Sequence, residues 1–304
     1  MGKSFKSGAA RTWTQGVWTL LTNSYAYGFV NGVIYDGKLK AVCVPGLNCY
    51  SCPGAWGSCP LGSLQAVIGS RQFNFSFYVV GFLLLAGSLA GRFVCGFLCP
   101  FGFVQDLLFK LPFFKKLRSL PGEKVLRKLK YALLLVFVLL LPALALDAFA
   151  QGQPWFCKWV CPSGTLFGGI PLVSLNAGLR SAAGLLFAWK LSLLAAIVLL
   201  SMAVYRPFCR YLCPLGALYG FLNPVSLHRI RVDEVKCTSC GACRRACKLD
   251  VPIYEKPGSM ECIRCGDCVR ACPYGALHMG FCAKVKKCTF PKRLMGVFSS
   301  VSKE

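Results

Sequence analysis

Eight cysteines near the carboxyl end of the chain fall into two runs with the same spacing. The runs are Cys237-x2-Cys240-x2-Cys243-x3-Cys247 and Cys262-x2-Cys265-x2-Cys268-x3-Cys272-Pro273. Three thiolates from one tight loop can bind three irons of a cubane, and the fourth cysteine of each run then binds the other cluster. The spacing therefore predicts two [4Fe–4S] clusters.

The two predicted clusters exchange one cysteine between the runs. One cluster takes Cys237, Cys240, Cys243 and Cys272, and the other takes Cys262, Cys265, Cys268 and Cys247. Gly241 and Gly266 fit this prediction because a chain that wraps closely around a cluster needs residues without a Cβ. Lys248 stands where the first run would usually carry a proline. Zinc and disulfides are the alternatives, although zinc ligands normally form two pairs separated by a long gap.

The tetrapeptide Cys-Pro-x-Gly occurs four times upstream of these runs. Its copies begin at Cys59, Cys99, Cys161 and Cys213. Three copies follow a second cysteine by four residues, and these partners are Cys95, Cys157 and Cys209. The first copy has Ala55 at that position, with Cys49 and Cys52 further upstream. Residues i and i+4 of a helical turn are neighbours, so each pair of thiols can bind one edge of a cluster.

Composition and hydropathy predict that most of the chain lies in a membrane. Hydrophobic residues make up 55% of the sequence, and its mean hydropathy is +0.54. The apolar stretches 73–91, 131–149 and 184–205 are long enough for a hydrocarbon core of about 30 Å. A fourth stretch, 13–34, contains polar residues, so a soluble amphipathic helix is its alternative. We interpret the stretch 13–34 as a fourth span. Pro142 is expected to kink the span 131–149.

The distribution of Lys and Arg predicts how these spans are oriented. Basic residues concentrate before residue 13, between 96 and 130 and after 205, and are sparse in the two other loops. Because basic loops stay in the cytoplasm, we predict a multi-pass protein of the cytoplasmic membrane. Both termini and the cluster-binding module would lie on the cytoplasmic side.

The spans and cysteine motifs together indicate a twofold internal repeat. The halves run roughly from 13 to 120 and from 130 to 223, and each reads span, outer cysteine motif, span, inner cysteine motif. The predicted fold is a membrane all-α four-helix bundle of two repeated hairpins plus a C-terminal α+β two-cluster ferredoxin domain. The predicted domains are 1–230 in the membrane, 231–281 for the ferredoxin and 282–304 as a basic tail.

Pairing the two halves across a pseudo-twofold axis would supply the four ligands that a cubane needs. The hypothetical inner site uses Cys95, Cys99, Cys209 and Cys213. The hypothetical outer site uses Cys59, Cys157 and Cys161 with one of Cys49 and Cys52. Buried apolar thiols are an alternative for both sites. Disulfides or an outer dithiol that binds copper or zinc are alternatives for the outer one.

Several classes of function are disfavoured by composition. The net charge of +24 could suit nucleic acid, but the apolar spans and the positive-inside bias explain much of it, so we expect no nucleic-acid partner. The two histidines, His228 and His278, lie outside the spans, which excludes a haem held by two histidines within the bundle. Carboxylates number only 11 and no nucleotide fingerprint is present, so no hydrolase or transferase site is visible.

Three further basic residues lie near the motifs. We interpret Arg92 and Arg206, each one turn before an inner cysteine, as anchors of helix ends, with stabilisation of a reduced cluster as the alternative. Lys190 is interpreted as a lysine that snorkels to the interface, with a role near an outer cluster or a quinone as its alternative. The roles of Cys43, Cys282 and Cys288 stay open.

The paired motifs followed by a two-cluster ferredoxin resemble the membrane polyferredoxins of the NapH type, whose relatives include NosR-like and CcoG-like proteins. The resemblance covers about 13–273 and is carried best by Cys95-Gly-Phe-Leu-Cys99-Pro100, Cys209-Arg-Tyr-Leu-Cys213-Pro214 and the two ferredoxin runs. The outer cysteines depart from the common pattern, and a flavin domain like that of NosR is missing.

The resemblance implies electron transfer at the cytoplasmic membrane, often between quinol and a partner redox protein. We therefore predict an iron–sulfur protein that passes electrons between its ferredoxin domain and the membrane. Its expected partners are membrane lipid and a quinone or a redox protein, and its cofactors are two [4Fe–4S] clusters, with one or two more in the membrane domain. The alternative is an assembly, maturation or metal-reducing factor for another metalloenzyme.

Overall fold

The computed structural model describes residues 8–70, 77–145, 147 and 151–281. The described chain is largely helical, and it ends in a small module with one two-stranded sheet. The predicted tail 282–304, with Cys282 and Cys288, lies outside the described residues, as do parts of the predicted spans 73–91 and 131–149.

Eight helices lie in the described residues between 8 and 145. They are α1 (Gly8–Thr22), α2 (Ala26–Asn31), α3 (Pro60–Gly69), α4 (Phe77–Ala90), α5 (Phe93–Phe97), α6 (Pro100–Lys110), α7 (Glu123–Leu133) and α8 (Leu141–Leu144). A 3-10 turn at Lys38–Ala41 precedes α3, and a π-helical stretch at Leu134–Leu140 joins α7 to α8. This irregular stretch directly precedes Pro142, whose missing N–H interrupts regular α-helical hydrogen bonding.

The second half contains the remaining helices and both strands of the described chain. They are α9 (Trp155–Trp159), α10 (Pro162–Gly164), α11 (Ile170–Leu175), α12 (Ala177–Ser181), α13 (Leu185–Ala203), α14 (Pro214–Leu222), β1 (His228–Val232), α15 (Ala242–Ala246), α16 (Asp267–Arg270) and β2 (Leu277–Phe281). Further π-helical stretches run through Thr165–Gly169 and Phe208–Leu212.

Each Cys-Pro-x-Gly motif begins a helix. The cysteine occupies the N-cap position and the proline the first turn of α3, α6, α10 and α14. Proline suits that position because its missing N–H would have no partner there. In two copies the cysteine sulfur also accepts a hydrogen bond from the glycine N–H, at 3.4 Å for Cys99 and 3.3 Å for Cys213. The motif thus fixes a thiol at the start of a helix.

Among the described residues, α13 alone is long and apolar enough to cross a membrane, with 19 residues and a hydropathy of 2.2. The helix α4 is apolar but has only 14 residues. The predicted span 13–34 is not one helix, because α1 ends at Thr22 and α2 begins at Ala26. The helical character of the prediction is confirmed, whereas a bundle of four spans is not evident from helix length alone.

The helix α1 has an unusual distribution of polarity. Its inward face carries Arg11 and Gln15, which are buried. Its outward face carries Trp13 and Leu20, which are 74% and 72% exposed. A helix at the surface of a soluble protein shows the opposite arrangement. The polar residues that made this segment a doubtful span therefore face the interior of the protein.

The C-terminal module is closed by its two strands. β1 and β2 pair antiparallel, with Ile230 opposite Met279, and the short helices α15 and α16 lie between them in sequence. Gly241 and Gly266 precede these helices with φ of 72° and 82°. Only residues without a Cβ adopt this backbone readily, which fits the role that the sequence predicts for both glycines.

A buried ion network joins α1, α6 and the segment that follows α13. Arg206 donates to both oxygens of Asp106, from Nε at 2.7 Å and from Nη2 at 2.5 Å, and Arg11 donates to the same carboxylate at 3.1 Å. Gln15 donates to it as well. Arg206 and Asp106 are almost fully buried. The carboxylate on α6 therefore compensates two buried guanidinium groups.

We expect Asp106→Ala to lower the free energy of unfolding by about 3–5 kcal/mol, because it leaves buried arginine charge without a partner. Thermal unfolding of the purified protein measures this change. The matched control is Asp233→Ala, which removes an exposed pair with Lys236 at 3.6 Å and should cost less than about 1 kcal/mol. Equal shifts for both variants would contradict a structural role for the network.

Candidate iron–sulfur centres

Set I consists of the four cysteines that line one cavity of the C-terminal module, namely Cys237, Cys240, Cys243 and Cys272. This is the group predicted from spacing for one cluster. The cavity is also lined by Tyr254 and Tyr274, and Cys240 is exposed at its edge. The backbone N–H of Ala242 lowers the pKa of the Cys240 thiol, which favours a thiolate there.

Set II consists of Cys247, Cys262, Cys265 and Cys268, which line a second cavity. The structure thus places Cys247 with the second run and Cys272 with the first, as the predicted exchange requires. Tyr205, from the segment that follows α13, lines this cavity too. Burial raises the pKa of Cys265 to about 12 and also raises that of Cys268. The two sets differ in one respect, because set I has an exposed cysteine, Cys240, and set II has none.

The inner set, Cys95, Cys99, Cys209 and Cys213, lines a third cavity. All four thiols are buried. Two come from α5 and the N-cap of α6, and two from the corresponding π-helical stretch and the N-cap of α14. The two halves of the predicted repeat therefore bring their inner motifs together.

Buried arginines cross between the halves beside the inner set. Arg92, three residues before Cys95, donates to the carbonyl of Cys209 at 3.1 Å. Arg206, three residues before Cys209, donates to the carbonyl of Cys95 at 2.5 Å. Both side chains are fully buried, with 1% and 0% exposure. Each arginine therefore binds the backbone of the opposite cysteine hairpin in the interior of the protein.

Sequence reasoning missed two glutamines that contact the motifs. Gln105 donates from Nε2 to Cys209 Sγ at 3.1 Å and accepts from the N–H of Phe208 at 3.2 Å. Gln65 makes the same two contacts in the outer region, with Cys157 Sγ at 3.3 Å and Phe156 N–H at 3.0 Å. Each glutamine lies six residues after the cysteine of a Cys-Pro-x-Gly copy. This shared spacing of six residues is a signal in the sequence that could have identified both glutamines.

The surroundings of the inner set suit a [4Fe–4S] cluster. Its sulfurs accept hydrogen bonds from Gly102 N–H, Gly216 N–H and Gln105 Nε2, so the protein presents donors to them. Burial raises the pKa of the Cys209 thiol to about 11. Four thiolates buried together would repel one another, and the cationic core of a [4Fe–4S] cluster would offset their charge.

A single metal ion and a cluster require different distances between the ligand sulfurs. Zinc would need sulfurs about 3.8 Å apart, since each lies about 2.3 Å from a tetrahedral ion. In a cubane each thiolate binds a different iron, so its cysteines surround a wider space. Every cysteine of the described residues is also a free thiol, not part of a disulfide.

The structure brings four of the outer cysteines close together. Cys49, Cys59, Cys157 and Cys161 lie close enough to influence one another electrostatically. Cys52 also lies near Cys49, but its sulfur donates to Asn23 Oδ1 at 3.4 Å. Cys43 lies near Ser58 and Ser63. Lys190, interpreted as a snorkelling residue, instead donates to the carbonyl of Cys157 at 3.2 Å.

Set II and the inner set are in direct structural contact. Arg92, which binds the Cys209 carbonyl, also donates to the Met260 carbonyl at 2.8 Å and to Glu261 at 3.1 Å. Both acceptors directly precede Cys262 of set II. Gly96 packs so closely against the same loop that a Cβ there would lie 2.5 Å from the Ile263 carbonyl oxygen. One guanidinium therefore connects the two cysteine sets.

The segment 45–49 connects the inner cysteines with the outer ones. Pro45, Gly46 and Leu47 line the cavity of the inner set, and Cys49 follows only two residues later. Tyr219 is fully buried and donates to the Pro45 carbonyl at 3.0 Å. It lies near Cys95 and Cys99 of the inner motif and near Cys59 of the outer one.

Comparison with known proteins agrees with these centres. A model of the family described as "4Fe-4S binding domain" matches residues 75–121, 132–176 and 185–232, which carry the paired membrane motifs. A second 4Fe-4S binding domain model matches 259–278, the second ferredoxin run. The chain therefore binds [4Fe–4S] clusters. No solved structure matches the chain.

Relatives with similar sequences come from several organisms. Uncharacterized protein MJ0749 of Methanocaldococcus jannaschii is 33% identical over 66% of this chain and 68% of its own length. The methylamine utilization ferredoxin-type protein MauN of Methylorubrum extorquens is 30% identical over 63% of this chain and 55% of its own. Ferredoxin-type protein NapH of Haemophilus influenzae is 30% identical over 54% and 50%. The chain spans about half the length of these two named relatives.

We expect Gly96→Ala to destabilise the contact between set II and the inner set by about 1–3 kcal/mol, because its Cβ would collide with backbone. Hydrogen exchange should increase in 93–98 and 259–265, and the thermal midpoint should fall. Gly81→Ala is the control, since a Cβ there meets nothing within 4 Å. Unchanged exchange in both segments would show that the contact is not formed.

The motifs, the geometry and the comparisons agree on the family of this chain. Two ferredoxin runs follow paired Cys-x3-Cys-Pro motifs, and the three motif pairs and the second run lie in segments that 4Fe-4S family models match. Proteins named NapH and MauN are 30% identical to this sequence over more than half of the chain. The chain belongs to the NapH-type polyferredoxin family.

Proposed function

We propose that this chain is an integral membrane protein that transfers electrons between a cytoplasmic redox partner and the membrane. The observation that carries the proposal is the contact between set II and the inner set through Arg92. If the ferredoxin module were only anchored to the rest of the chain, a buried cysteine site at the contact between them would have no function. When bound, a [4Fe–4S] cluster accepts and releases one electron at a time.

The ligands that we propose follow from the cavities. Set I and set II would each hold one cluster, as the ferredoxin spacing predicts, and the inner set would hold a third. The chain's own residues keep the inner site dry, because the apolar side chains of Leu47, Val94 and Leu215 line its cavity and are buried. Water exclusion and fixed donors both influence the potential of an iron–sulfur site.

The exposed edge of set I is the proposed entry point for electrons from a soluble partner. Cys240 is exposed, and Arg245 donates to its carbonyl at 3.2 Å. The inner set is fully buried, and set II contains no exposed cysteine, so a soluble redox protein reaches neither as directly as it reaches Cys240. At the membrane end a quinone or a second redox protein would exchange electrons with the chain. The relative YccM bears the name "putative electron transport protein".

A membrane location is supported by the apolar surface of the helices. Large apolar side chains are exposed on α4, on the π-helical stretch beside α7 and on α13. They include Phe77, Leu84, Leu85, Leu135, Leu185, Trp189 and Leu199. Together with the inverted polarity of α1, this surface suits a hydrocarbon environment. We propose four membrane-inserted segments within 1–230, with the ferredoxin module 231–281 and both termini in the cytoplasm.

The proposed electron route predicts the effect of Cys209→Ser. The purified protein is reduced with dithionite and then mixed with a quinone analogue. We expect rapid reoxidation of the wild type and at least a tenfold slower reoxidation of Cys209→Ser, with the spectra of the ferredoxin clusters retained. Cys43→Ser is the control, because Cys43 lies in none of the three cavities. Slow reoxidation of the wild type together with tight copper or zinc binding would favour a maturation factor instead.

The proposed membrane location predicts how arginine substitutions act. Leu199→Arg places a charge on the exposed face of α13, which should cost about 3 kcal/mol in lipid. We expect less of this variant in carbonate-washed membranes. Val235→Arg is the control, since Val235 is 96% exposed in the ferredoxin module. If the wild type washes off with carbonate, or if both variants accumulate equally in membranes, the location is wrong.

A further inference from the structure

The outer region repeats the architecture of the inner site with one substituted ligand. Cys59 caps α3 and Cys161 caps α10, as Cys99 and Cys213 cap α6 and α14. A Cβ at Gly62 would lie 3.8 Å from Cys157 Sγ, so the cysteine of the second half lies beside the helix start of the first. Both halves therefore contribute thiols to one place.

The contacts around these thiols match those of the inner site. Gln65 donates to Cys157 Sγ as Gln105 donates to Cys209 Sγ. Lys190 donates to the Cys157 carbonyl, and Arg206 donates to the Cys95 carbonyl. In both sites an amide donor thus contacts a sulfur, and a cation binds the backbone of a cysteine. Packing of apolar thiols does not require such donors.

The fourth thiol comes from Cys49 and not from Cys52. Ala55 occupies the position that a cysteine has in the other three copies. A Cβ at Gly164 would lie 3.6 Å from Cys49 Sγ, which places this sulfur beside the start of α10. Cys52, although fully buried, directs its sulfur to Asn23 Oδ1. The loop between α2 and α3 therefore replaces the missing ligand with a cysteine six residues upstream.

We infer that Cys49, Cys59, Cys157 and Cys161 bind a fourth [4Fe–4S] cluster. Two of these ligands, Cys49 and Cys59, lie outside the segments that the family models match. Binding of this cluster is independent of the proposed function, whereas its use as the last centre of an electron route rests on that function. Leu47 and Tyr219 between the inner and outer sets would make the route continuous.

The test is an iron and sulfide count on anaerobically purified full-length protein. Four clusters correspond to about sixteen irons per chain, and we expect that value for the wild type. Cys49→Ser and Cys157→Ser should each fall to about twelve irons, with a matching loss of reducible spins in the EPR spectrum. The control Cys52→Ser should keep about sixteen.

Three results would overturn the inference. The first is a wild-type content of about twelve irons. The second is one zinc ion per wild-type chain. The third is the loss of a cluster in Cys52→Ser but not in Cys49→Ser. The wild-type count needs no variant, so it decides the question even where a variant fails to fold. Reoxidation by the quinone analogue is measured on the same samples. A full iron count without reoxidation would refute the proposed function and keep the fourth cluster.

Discussion

The structure depends on guanidinium groups that are buried beside cysteine ligands and bound to the opposite half of the protein. Removing such a charge from water costs several kcal/mol unless it is paired and hydrogen-bonded. Arg206 meets this need with Asp106 and the Cys95 carbonyl, and Arg92 meets it with Glu261 and the Cys209 carbonyl. Because every partner comes from another element, the arginines hold the two cysteine hairpins together. They also place permanent positive charge near four thiolates.

This constraint explains why a repeated hairpin suits the chemistry. One hairpin offers two thiols, and a cubane needs four, so neither half of the inner site works alone. Arg92 further binds the loop that precedes Cys262, so the same interaction that closes the inner site also docks the ferredoxin module. Lys130 shares Glu261 with Arg92 and is itself fully buried. Assembly of the inner site and docking of the module are thus coupled through shared charges.

The spacing within the two runs predicted the grouping of set I and set II, and the pairing of the two repeated halves predicted the inner set. Each predicted group lines one cavity of the structure. The sequence did not predict which residues satisfy buried charge: Arg92 and Arg206 look like interface anchors until their partners, more than 100 residues away, are known. Gln65 and Gln105 were missed for the same reason. The break between α1 and α2 and the path of the segment 45–49 also depend on long-range packing, so the sequence did not predict them.

The most direct test of this account is a density map of the native protein that resolves iron. The account predicts a cluster between Cys95, Cys99, Cys209 and Cys213, with Arg92 and Arg206 bound to the carbonyls of Cys209 and Cys95. A map with iron only in the module 231–281, and with the inner thiols empty or apart, would contradict it.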